Sequence, residues 1–577
     1  MTAPQRRIAA IGLAAAVLAV GFYYSHRLRR GLAPAASQTL PARGGALVGT
    51  IRGEPPTFNR YVNQTFPTQL ISLLTQARLV RINRLTDQPE PWLASAWRLA
   101  HDARGVTLDL RPDLVWSDGA PFDSGDVVFS FAAAYGASGT VMAQALSVGG
   151  KPIGVRADGP RRVVLTFAQP YAPGVRLLDA LPIYPRHALA ASLASGTFAK
   201  AWDLKTSGAA MPGLGPFLID SYTPGQRIVF VRNPRYWRRD PRGVALPYLD
   251  RLTLEIVPDQ NAELLRLTSG QVDLTQTSLR IEDYREVKAA ADAGRVRLMD
   301  VGPGLERHAL WFNLGPKADP ARAFLREDAF RAAVSMAVDR KAMANAVYLG
   351  AADPAPLPVP PANVSWQPQG LEAPAYDPGR AAALLNTLGL EDRDHDGVRE
   401  DREGRPVRFS VLVQAGVTGG EKGMQFVRDE LAKIGVHLDV VALDLGSVVG
   451  RWLKGDYDAV YHHVTPTDSD PAANMDWWLT SGDGHVWNPS QAKPATPWEA
   501  EIDTLMTRQA ASLDLAERRR LFTEVQRIFL AHNPAIYFVA PRVYMATSRR
   551  VAPVTPAIDS PQLLWAADQL AVTAGKP

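Results

Sequence analysis

The spacing that most clearly predicts metal chemistry is found in DRDHDGVREDRE, residues 392–403. Carboxylates at the first, third and fifth positions, with a glycine at the sixth, match the loop by which proteins bind Ca²⁺. The candidate ligands are oxygen atoms of Asp392, Asp394, Asp396, Val398, Glu400 and Glu403. All of them are local, so a bound calcium ion would be a structural clip rather than a catalytic centre. The alternative is an acidic hairpin tip that holds no ion.

A second segment, WSDGAPFDSGDVVFSF at residues 116–131, places Asp118 beside a glycine in a turn and so invites a catalytic interpretation. Its spacing favours a structural role. Asp123 is placed to cap a helix, and Asp126, three residues on, can complete a capping box. We therefore predict that this segment is scaffold and that Asp118 takes no part in catalysis.

Motifs of common hydrolases and nucleotide-binding enzymes are absent from the sequence. It contains no Gly-x-Ser-x-Gly, no His-Glu-x-x-His and no Gly-x-x-x-x-Gly-Lys-Ser/Thr. His462 and His463 are neighbours that would point to opposite faces of a strand, which disfavours a shared metal ion. The chain has no cysteine, which excludes disulfides, thiolate metal sites, a cysteine nucleophile and a lipoprotein anchor. The sequence predicts no catalytic residue and no required cofactor.

Length and charge narrow the class of protein further. A chain of 577 residues exceeds what one hydrophobic core supports, so at least two domains are expected. The formal charge of +5 comes from scattered arginines, and no basic run is interleaved with aromatic residues. Nucleic acid is therefore not an expected partner.

The N-terminus has the pattern of an export signal. Arg6 and Arg7 precede an apolar run from Ile8 to Tyr24, and a basic stretch follows at residues 26–30. A candidate cleavage site at Ala33–Ala35 lies well past this run, which favours an uncleaved membrane anchor over a cleaved signal peptide. Both interpretations place the rest of the chain in the periplasm or on the outer face of the membrane. A buried core helix is the remaining alternative.

Extended and helical patterns alternate from Gly44 onwards, which indicates an α/β or α+β protein. Apolar and turn residues predict strands at 46–51, 163–167, 227–231, 252–257, 406–411 and 436–443. Helices are predicted at 378–388, between the capping residue Asp377 and Gly389, at 426–434 and at 516–529. No solenoid-length period repeats along the chain.

Seven segments, taken in order, carry a family resemblance. Among them are WSDGAPFDSGDVVFSF, LWFNLGP and GDYDAVYHH, and the full set lies at residues 116–131, 213–237, 246–274, 310–316, 330–361, 376–400 and 455–463. Over roughly residues 44–550 the chain resembles the family 5 extracellular solute-binding proteins of bacterial ABC importers, a group that includes dipeptide, oligopeptide and nickel binders.

The resemblance implies a two-lobed, type II-like periplasmic-binding-protein clamp that encloses its ligand between the lobes. The implied division has a signal or anchor segment at 1–40, a first lobe at 44–77, 200–300 and 535–577, a domain inserted into it at 78–199, and a second lobe at 301–534. Closure of such a clamp is what the membrane permease recognises.

The resemblance also implies where the ligand binds. Asp470-Pro471 matches an Asp-Pro that follows the aspartate with which peptide-binding relatives pair the ligand's amino group. Counting back, that position falls on Thr467, and the aromatic that often precedes it falls on Val464. Asp468 could take over the pairing, but the departure weakens the expectation of a free peptide amine.

Further candidate ligand contacts come from aromatic residues and from two family segments. Three tryptophans could wall a pocket, although ordinary core or surface positions are the alternative. These candidates are Thr57, Phe58, Asn59, Trp311, Asn313, Tyr461, His463, Trp477, Trp478 and Trp487.

The resemblance therefore implies a monomeric receptor that delivers a peptide or peptide-like solute to an ABC permease in the inner membrane. An oligosaccharide, opine or metal chelate is the alternative cargo. An anchored extracytoplasmic hydrolase, or a ligand-sensing partner of a membrane receptor, would belong to a different class of function.

Overall fold

Strands from distant parts of the chain form the sheet of the first lobe. The computed structural model describes residues 43–463 and 468–573. The strand order is Phe217–Thr223, Arg227–Arg232, Arg251–Val257 and Ala46–Arg52, with the last pair parallel. Leu274 bridges Gly49 to Thr547 and so joins this sheet to the strands Val539–Ser548 and Val296–Pro303. The short strand Ala352–Pro354 comes from the second lobe and pairs with residues 539–541, where the chain crosses between the lobes. Both ends of the described chain therefore complete the first lobe.

A smaller antiparallel sheet is inserted into the first lobe. Its strand order is Ala94–Leu99, Gly105–Leu110, Arg162–Thr166 and Gly154–Ala157. Two-stranded pairs are formed by Val80–Asn83 with Gln88–Pro91, Ser147–Val148 with Lys151–Pro152, and Val551–Ala552 with Ala571–Val572. The helices of these parts are Phe66–Thr75, Ser124–Gly136, Arg186–Ala194, Gln260–Thr268 and Tyr284–Asp292.

The sheet of the second lobe is covered on both faces. Its order is His437–Leu443, Arg408–Gln414, Ala459–His463, His308–Phe312 and Ala535–Tyr537, and the first three strands are parallel. Because side chains alternate along a strand, Leu310 and Phe312 pack into one core and Trp311 into the other. The flanking helices are Asp328–Ala337, Arg340–Tyr348, Pro378–Thr387 and Thr418–Ala432 on one face and Leu445–Lys454, Pro497–Ala511 and Leu515–His532 on the other.

Two adjacent crossings connect the lobes. The chain leaves the first-lobe sheet at Pro303 and enters the second-lobe sheet at His308, and it returns between Tyr537 and Val539. The Gly304 N–H donates to the Pro541 carbonyl at 2.8 Å, which ties one crossing to the other. Paired crossings of this kind allow lobes to rotate without separating. The residue bounds assigned to the lobes and the insert from sequence stay predictions.

Local sequence signals predicted the positions of several helices and turns. Asp377 accepts the Arg380 N–H and caps Pro378–Thr387 as predicted. The helix expected from residue 426 begins earlier, at Thr418, and ends at Ala432. Its first turns contain three glycines that interrupt the apolar pattern. A Cβ on Gly423 would lie 3.0 Å from Met343 Cε, so close packing accounts for at least one of them.

The predicted capping box in WSDGAPFDSGDVVFSF is confirmed. Asp123 accepts the Gly125 N–H, and the Asp126 carboxylate accepts the Asp123 N–H at 3.1 Å. Asp126 also accepts the Arg186 N–H at 2.9 Å and the Trp116 indole N–H at 3.3 Å. Burial raises the pKa of Asp126. Its carboxylate thus joins a turn, a helix start and a buried tryptophan.

Among the described residues, no helix has both the length and the apolar character needed to cross a membrane. The predicted membrane segment from Ile8 to Tyr24 lies outside the described residues.

Asp126→Ala should lower the free energy of unfolding by about 3 kcal/mol, because it leaves buried N–H donors without an acceptor. Asp118→Ala is the matched control, and it should cost less than about 1 kcal/mol because that carboxylate is exposed. Urea denaturation of both variants and the unaltered chain measures the difference. Equal losses from the two variants would contradict the structural role given to Asp126.

Candidate functional site

Two adjoining cavities lie between the insert, the crossing and the second lobe. Their volumes are about 280 and 120 Å³, and they share the lining residues Leu305, Asn363, Asp468, Ser469 and Asp559. Leu305 belongs to the crossing, Asn363 and Asp468 to the second lobe, and Asp87 and Arg176 of the insert line the larger cavity. Enclosed space between lobes is a usual position for a small-molecule site.

A guanidinium group closes one side of these cavities. Arg176 contacts the carboxylates of Asp468 and Asp87, each at 2.7 Å, and donates to the Ser469 hydroxyl at 3.0 Å. Burial lowers the pKa of Arg176, but the two carboxylates outweigh burial and the net shift is upward. Burial raises the pKa of Asp468 against the opposing effect of Arg176. This contact holds the insert against the second lobe.

Asp468 is therefore already bound to a cation of the chain itself. A ligand amine that paired with Asp468, as the resemblance implied, would have to share this carboxylate with Arg176. Thr467 and Val464 lie outside the described residues. Asp470 is buried and pairs with Arg518 at 2.5 Å, while it accepts the Ala472 N–H at 2.9 Å. The Asp470 carboxylate thus stabilises the turn beneath the cavity.

The candidate tryptophans separate into two groups. Trp477 and Trp478 line the smaller cavity, and Trp478 packs edge-on against Phe522 at 5.3 Å. Trp487 is 1% exposed and stacks on Trp311 at 6.0 Å, inside the core of the second lobe. The expectation that Trp487 walls the pocket does not fit this burial. The residue type, tryptophan, could not show from sequence which of these side chains line the cavity and which lie in the core.

The other candidates lie away from the two cavities. The Asn313 side chain donates to the Gly455 and Tyr457 carbonyls and fixes a loop of the second lobe. In the first lobe, Asn59 donates to the Phe198 carbonyl at 2.9 Å and Thr57 to the Trp202 carbonyl at 3.1 Å. Phe58 is buried against Tyr222, at 5.6 Å edge-on. These contacts give the predicted residues structural roles in the lobes.

The buried Tyr461 and the half-buried His308, His462 and His463 form a cluster beside the crossing. His308 stacks on Tyr461 at 5.2 Å, and its Nε2 lies 3.3 Å from Nδ1 of His463. Burial, together with the charge of neighbouring histidines, lowers the pKa of His308 to about 3 and that of His462 to about 4. Both are therefore neutral at physiological pH.

Sequence reasoning missed several residues that line the cavities. They are Asp87, Arg176, Glu306, Asn363 and Asp559. Arg176 and Asp468 are 292 positions apart, so no local spacing could associate them. For Asp87 the sequence signal is weak. Aspartate is one of the residues that tolerate positive φ, and Asp87 has a φ of 58° at the tip of the hairpin between Asn83 and Gln88.

The acidic loop brings together four carboxylates. Oxygen atoms of Asp392, Asp394, Asp396 and Glu400 all lie within 4.8 Å of one another. The loop turns at Gly397, whose φ is 92°. One Asp392 oxygen is buried without a hydrogen-bond partner among the described residues.

Glu403 does not join this group, because its carboxylate pairs with Arg405 at 3.0 Å. The Val398 N–H donates to Asp396 at 2.7 Å. This bond belongs to the same turn as the carboxylate cluster.

A clamp of two lobes, joined by paired crossings and closed over a cavity, defines the class of ligand-binding proteins that trap a solute between lobes. The model of the family described as bacterial extracellular solute-binding proteins, family 5 Middle, matches residues 88–485. The chain belongs to this family of solute-binding proteins.

Individual relatives agree with this assignment. A probable ABC transporter-binding protein of Deinococcus radiodurans is 25% identical over 518 residues, covering 86% of each chain. The substrate-binding protein CtaP of Listeria monocytogenes is 20% identical with a TM-score of 0.75, over 92% of this chain and all of CtaP. The oligopeptide-binding protein AppA of Bacillus subtilis, solved with a nonapeptide, is 20% identical with a TM-score of 0.66, over 92% of this chain and all of AppA. The predicted two-lobed α/β fold is confirmed.

The lowered pKa values of His308 and His462 predict a loss of stability in acid. The unfolded chain protonates His308 near its ordinary pKa, whereas the folded chain resists protonation down to about pH 3, so stability falls as pH drops below about 6.5. From pH 7 to pH 5, His308 alone should account for about 2 kcal/mol of the lost unfolding free energy.

Urea denaturation of the unaltered chain and of His308→Phe, at both pH values, measures this contribution. The variant keeps a ring on Tyr461 and should lose correspondingly less stability on acidification. His437→Gln, at an exposed position of the same sheet, is the control and should retain the full drop. An unchanged drop in His308→Phe would show that another group titrates.

Proposed function

We propose that the chain captures a peptide or peptide-like solute between its lobes and presents it to an ABC permease of the inner membrane. The observation that carries the proposal is the interlobe cavity bordered by the Arg176–Asp468 contact at 2.7 Å. The nonapeptide complex of AppA supports a peptide-like cargo at the level of fold. We further propose that the protein acts as a monomer on the outer side of the membrane and binds and releases its cargo without chemical change.

The size of the site limits the cargo. Each cavity, at about 280 and 120 Å³, is smaller than the roughly 300–1,000 Å³ of pockets that hold drug-sized ligands. A small solute fits this space better than a long extended chain. Arg176 supplies the closing contact, because its side chain reaches from the insert to the second lobe. Cargo that adds contacts to both lobes would further favour the closed arrangement.

The full chain, exported and purified in mild detergent, should carry a solute that native mass spectrometry detects and that denaturation releases. The expected result is a discrete mass difference corresponding to one small molecule per chain. Incubation of the loaded protein should leave the released molecule chemically intact, which separates binding from hydrolysis. An empty protein that binds no peptide or other solute in a subsequent screen would contradict the proposal.

Removal of the closing contact should open the clamp. Arg176→Met keeps much of the side-chain volume but loses the ion pairs with Asp468 and Asp87, so solution scattering should show a larger radius of gyration in the ligand-free protein. Arg162→Met, which removes an exposed pair with Asp109, is the matched control and should leave the radius unchanged. An unchanged radius in both variants would mean that other contacts hold the lobes together.

We propose in addition that the acidic loop binds one Ca²⁺ ion as a structural clip. Four carboxylates lie within 4.8 Å of one another, and one buried Asp392 oxygen has no partner among the described residues. Hard oxygen ligands in this arrangement suit Ca²⁺. With Glu403 held by Arg405, the ion would be held mainly by Asp392, Asp394, Asp396 and Glu400.

Millimolar Ca²⁺ should raise the melting temperature by roughly 5 °C relative to the chelated protein, because the ion binds only the folded loop. The double variant Asp394→Asn, Asp396→Asn should lose this shift. Asp292→Asn, at an exposed acid far along the chain from the loop, should keep it. No shift in the unaltered chain would identify the loop as an acidic hairpin without an ion.

A further inference from the structure

The charged groups that line the two interlobe cavities are unbalanced. Five carboxylates face them against two guanidinium groups. The acids are Asp87, Asp179, Glu306, Asp468 and Asp559, and the bases are Arg84 and Arg176. A cleft with low-dielectric walls focuses such an excess of one sign.

Both arginines already pair with carboxylates of the chain. Arg84 pairs with Asp559 at 2.7 Å, which neutralises that carboxylate. Arg176 is shared between Asp87 and Asp468, so one guanidinium faces two carboxylates and one negative charge remains. This remaining charge borders both cavities, because Asp468 lines each of them.

The carboxylate of Asp179 has a cation nearby that does not line the cavities. The Arg78 side chain donates to the Asp179 backbone carbonyl at 2.7 Å, and the negative charge of Asp179 counteracts the fall in the Arg78 pKa that burial causes. Arg78 therefore offsets part of the Asp179 charge.

Glu306 is the carboxylate left without a cation. It lies in the crossing, lines the smaller cavity and is exposed, and no hydrogen bond or ion pair to it is found among the described residues. The next residue, Arg307, does not compensate it. The Arg307 guanidinium donates to the Ala355 and Leu357 carbonyls and lies 4.3 Å over the ring of Tyr537, beneath the cavity wall.

Apolar groups complete the smaller cavity beside Glu306. Trp477, Trp478, Phe522, Pro358 and Pro360 line the same cavity as Glu306. An aromatic face near a carboxylate favours an organic cation, because the ring quadrupole and the negative charge attract the same group. The cavity thus combines an unpaired anion, a shared anion and an apolar wall.

We propose that the cargo carries an ammonium or guanidinium group next to an apolar group, with the cation received by Glu306 and the apolar group by the wall formed by Trp477, Trp478 and Phe522. This inference rests on the proposed function as a solute receptor and specifies its cargo. Anionic solutes are rejected because they would face surplus carboxylates, and no unpaired base lines the two cavities among the described residues. The recognition group lies in the crossing, so binding of the cation can be sensed where the lobes are joined.

Three probes of matched shape test the charge preference: 2-phenylethylamine, which is cationic, 2-phenylethanol, which is neutral, and phenylacetate, which is anionic. Isothermal titration of each into the full chain, after any co-purified solute is removed, should give at least a tenfold tighter Kd for the amine than for phenylacetate, about the effect of one favourable ion pair. The charge of the solute released in native mass spectrometry provides a second, independent readout.

Glu306→Gln should weaken binding of 2-phenylethylamine about tenfold and change binding of 2-phenylethanol by less than about twofold. Glu306→Asp should recover part of the affinity for the amine, which a merely structural role for Glu306 would not produce. Glu372→Gln, at an exposed acid outside the cavities, is the matched control and should bind all three probes like the unaltered chain.

The outcomes separate the two levels of the proposal. A released neutral or anionic solute, or probes that bind without preference for the amine, would overturn the cationic cargo and leave solute capture standing. A protein that releases no solute and binds none of the probes would count against the proposed function and the cargo together. A cationic solute, with affinity that depends on Glu306, supports both.

Discussion

One guanidinium group ties the insert to the second lobe at the edge of the cleft. Arg176 comes from the insert, Asp87 from a hairpin of the same insert, and Asp468 from the second lobe, and the three meet within 2.7 Å contacts. Removal of Arg176 would leave two neighbouring carboxylates without their cation, which costs more than an exposed pair contributes. The Tyr171 hydroxyl, which donates to the Ala472 carbonyl at 3.2 Å, joins the same two parts of the molecule, and the charge balance at this edge of the cleft depends on Arg176.

Negative charge is left over at both edges of the cleft. Arg176 faces two carboxylates at one edge, so one negative charge remains there, while Glu306, at the crossing, has no cation among the described residues. Cargo held by Glu306 and the tryptophan wall would contact the crossing and the second lobe. Only additional contacts with the insert or the first lobe would make its binding stronger in the closed clamp, and such differential binding is what can shift a conformational equilibrium.

Sequence predicted those features that depend on neighbouring residues. The capping box of Asp123 and Asp126 spans three positions, and the Asp377 cap is equally local, so both could be identified from spacing. The ordered family segments predicted the two-lobed fold. Contacts between distant residues left no such pattern: Arg176 and Asp468 could not be paired in advance, and Trp487 could not be assigned to the core rather than to the cavity wall. The start of the helix at Thr418 was not predicted, because glycines in its first turns interrupt the apolar pattern, and at least one of them is needed for close packing.

The strand order of the first lobe has a consequence for biogenesis. Ala46–Arg52 pairs with Arg251–Val257, and Leu274 joins Gly49 to Thr547, so this lobe is finished only by residues near the C-terminal end. The sheet of the second lobe likewise includes Ala535–Tyr537, about ten residues before Thr547. Each lobe therefore takes a strand from the last part of the chain, and a chain that is still being synthesised or translocated can complete neither sheet. A chain that stopped before residue 535 would lack a strand of both lobes at once.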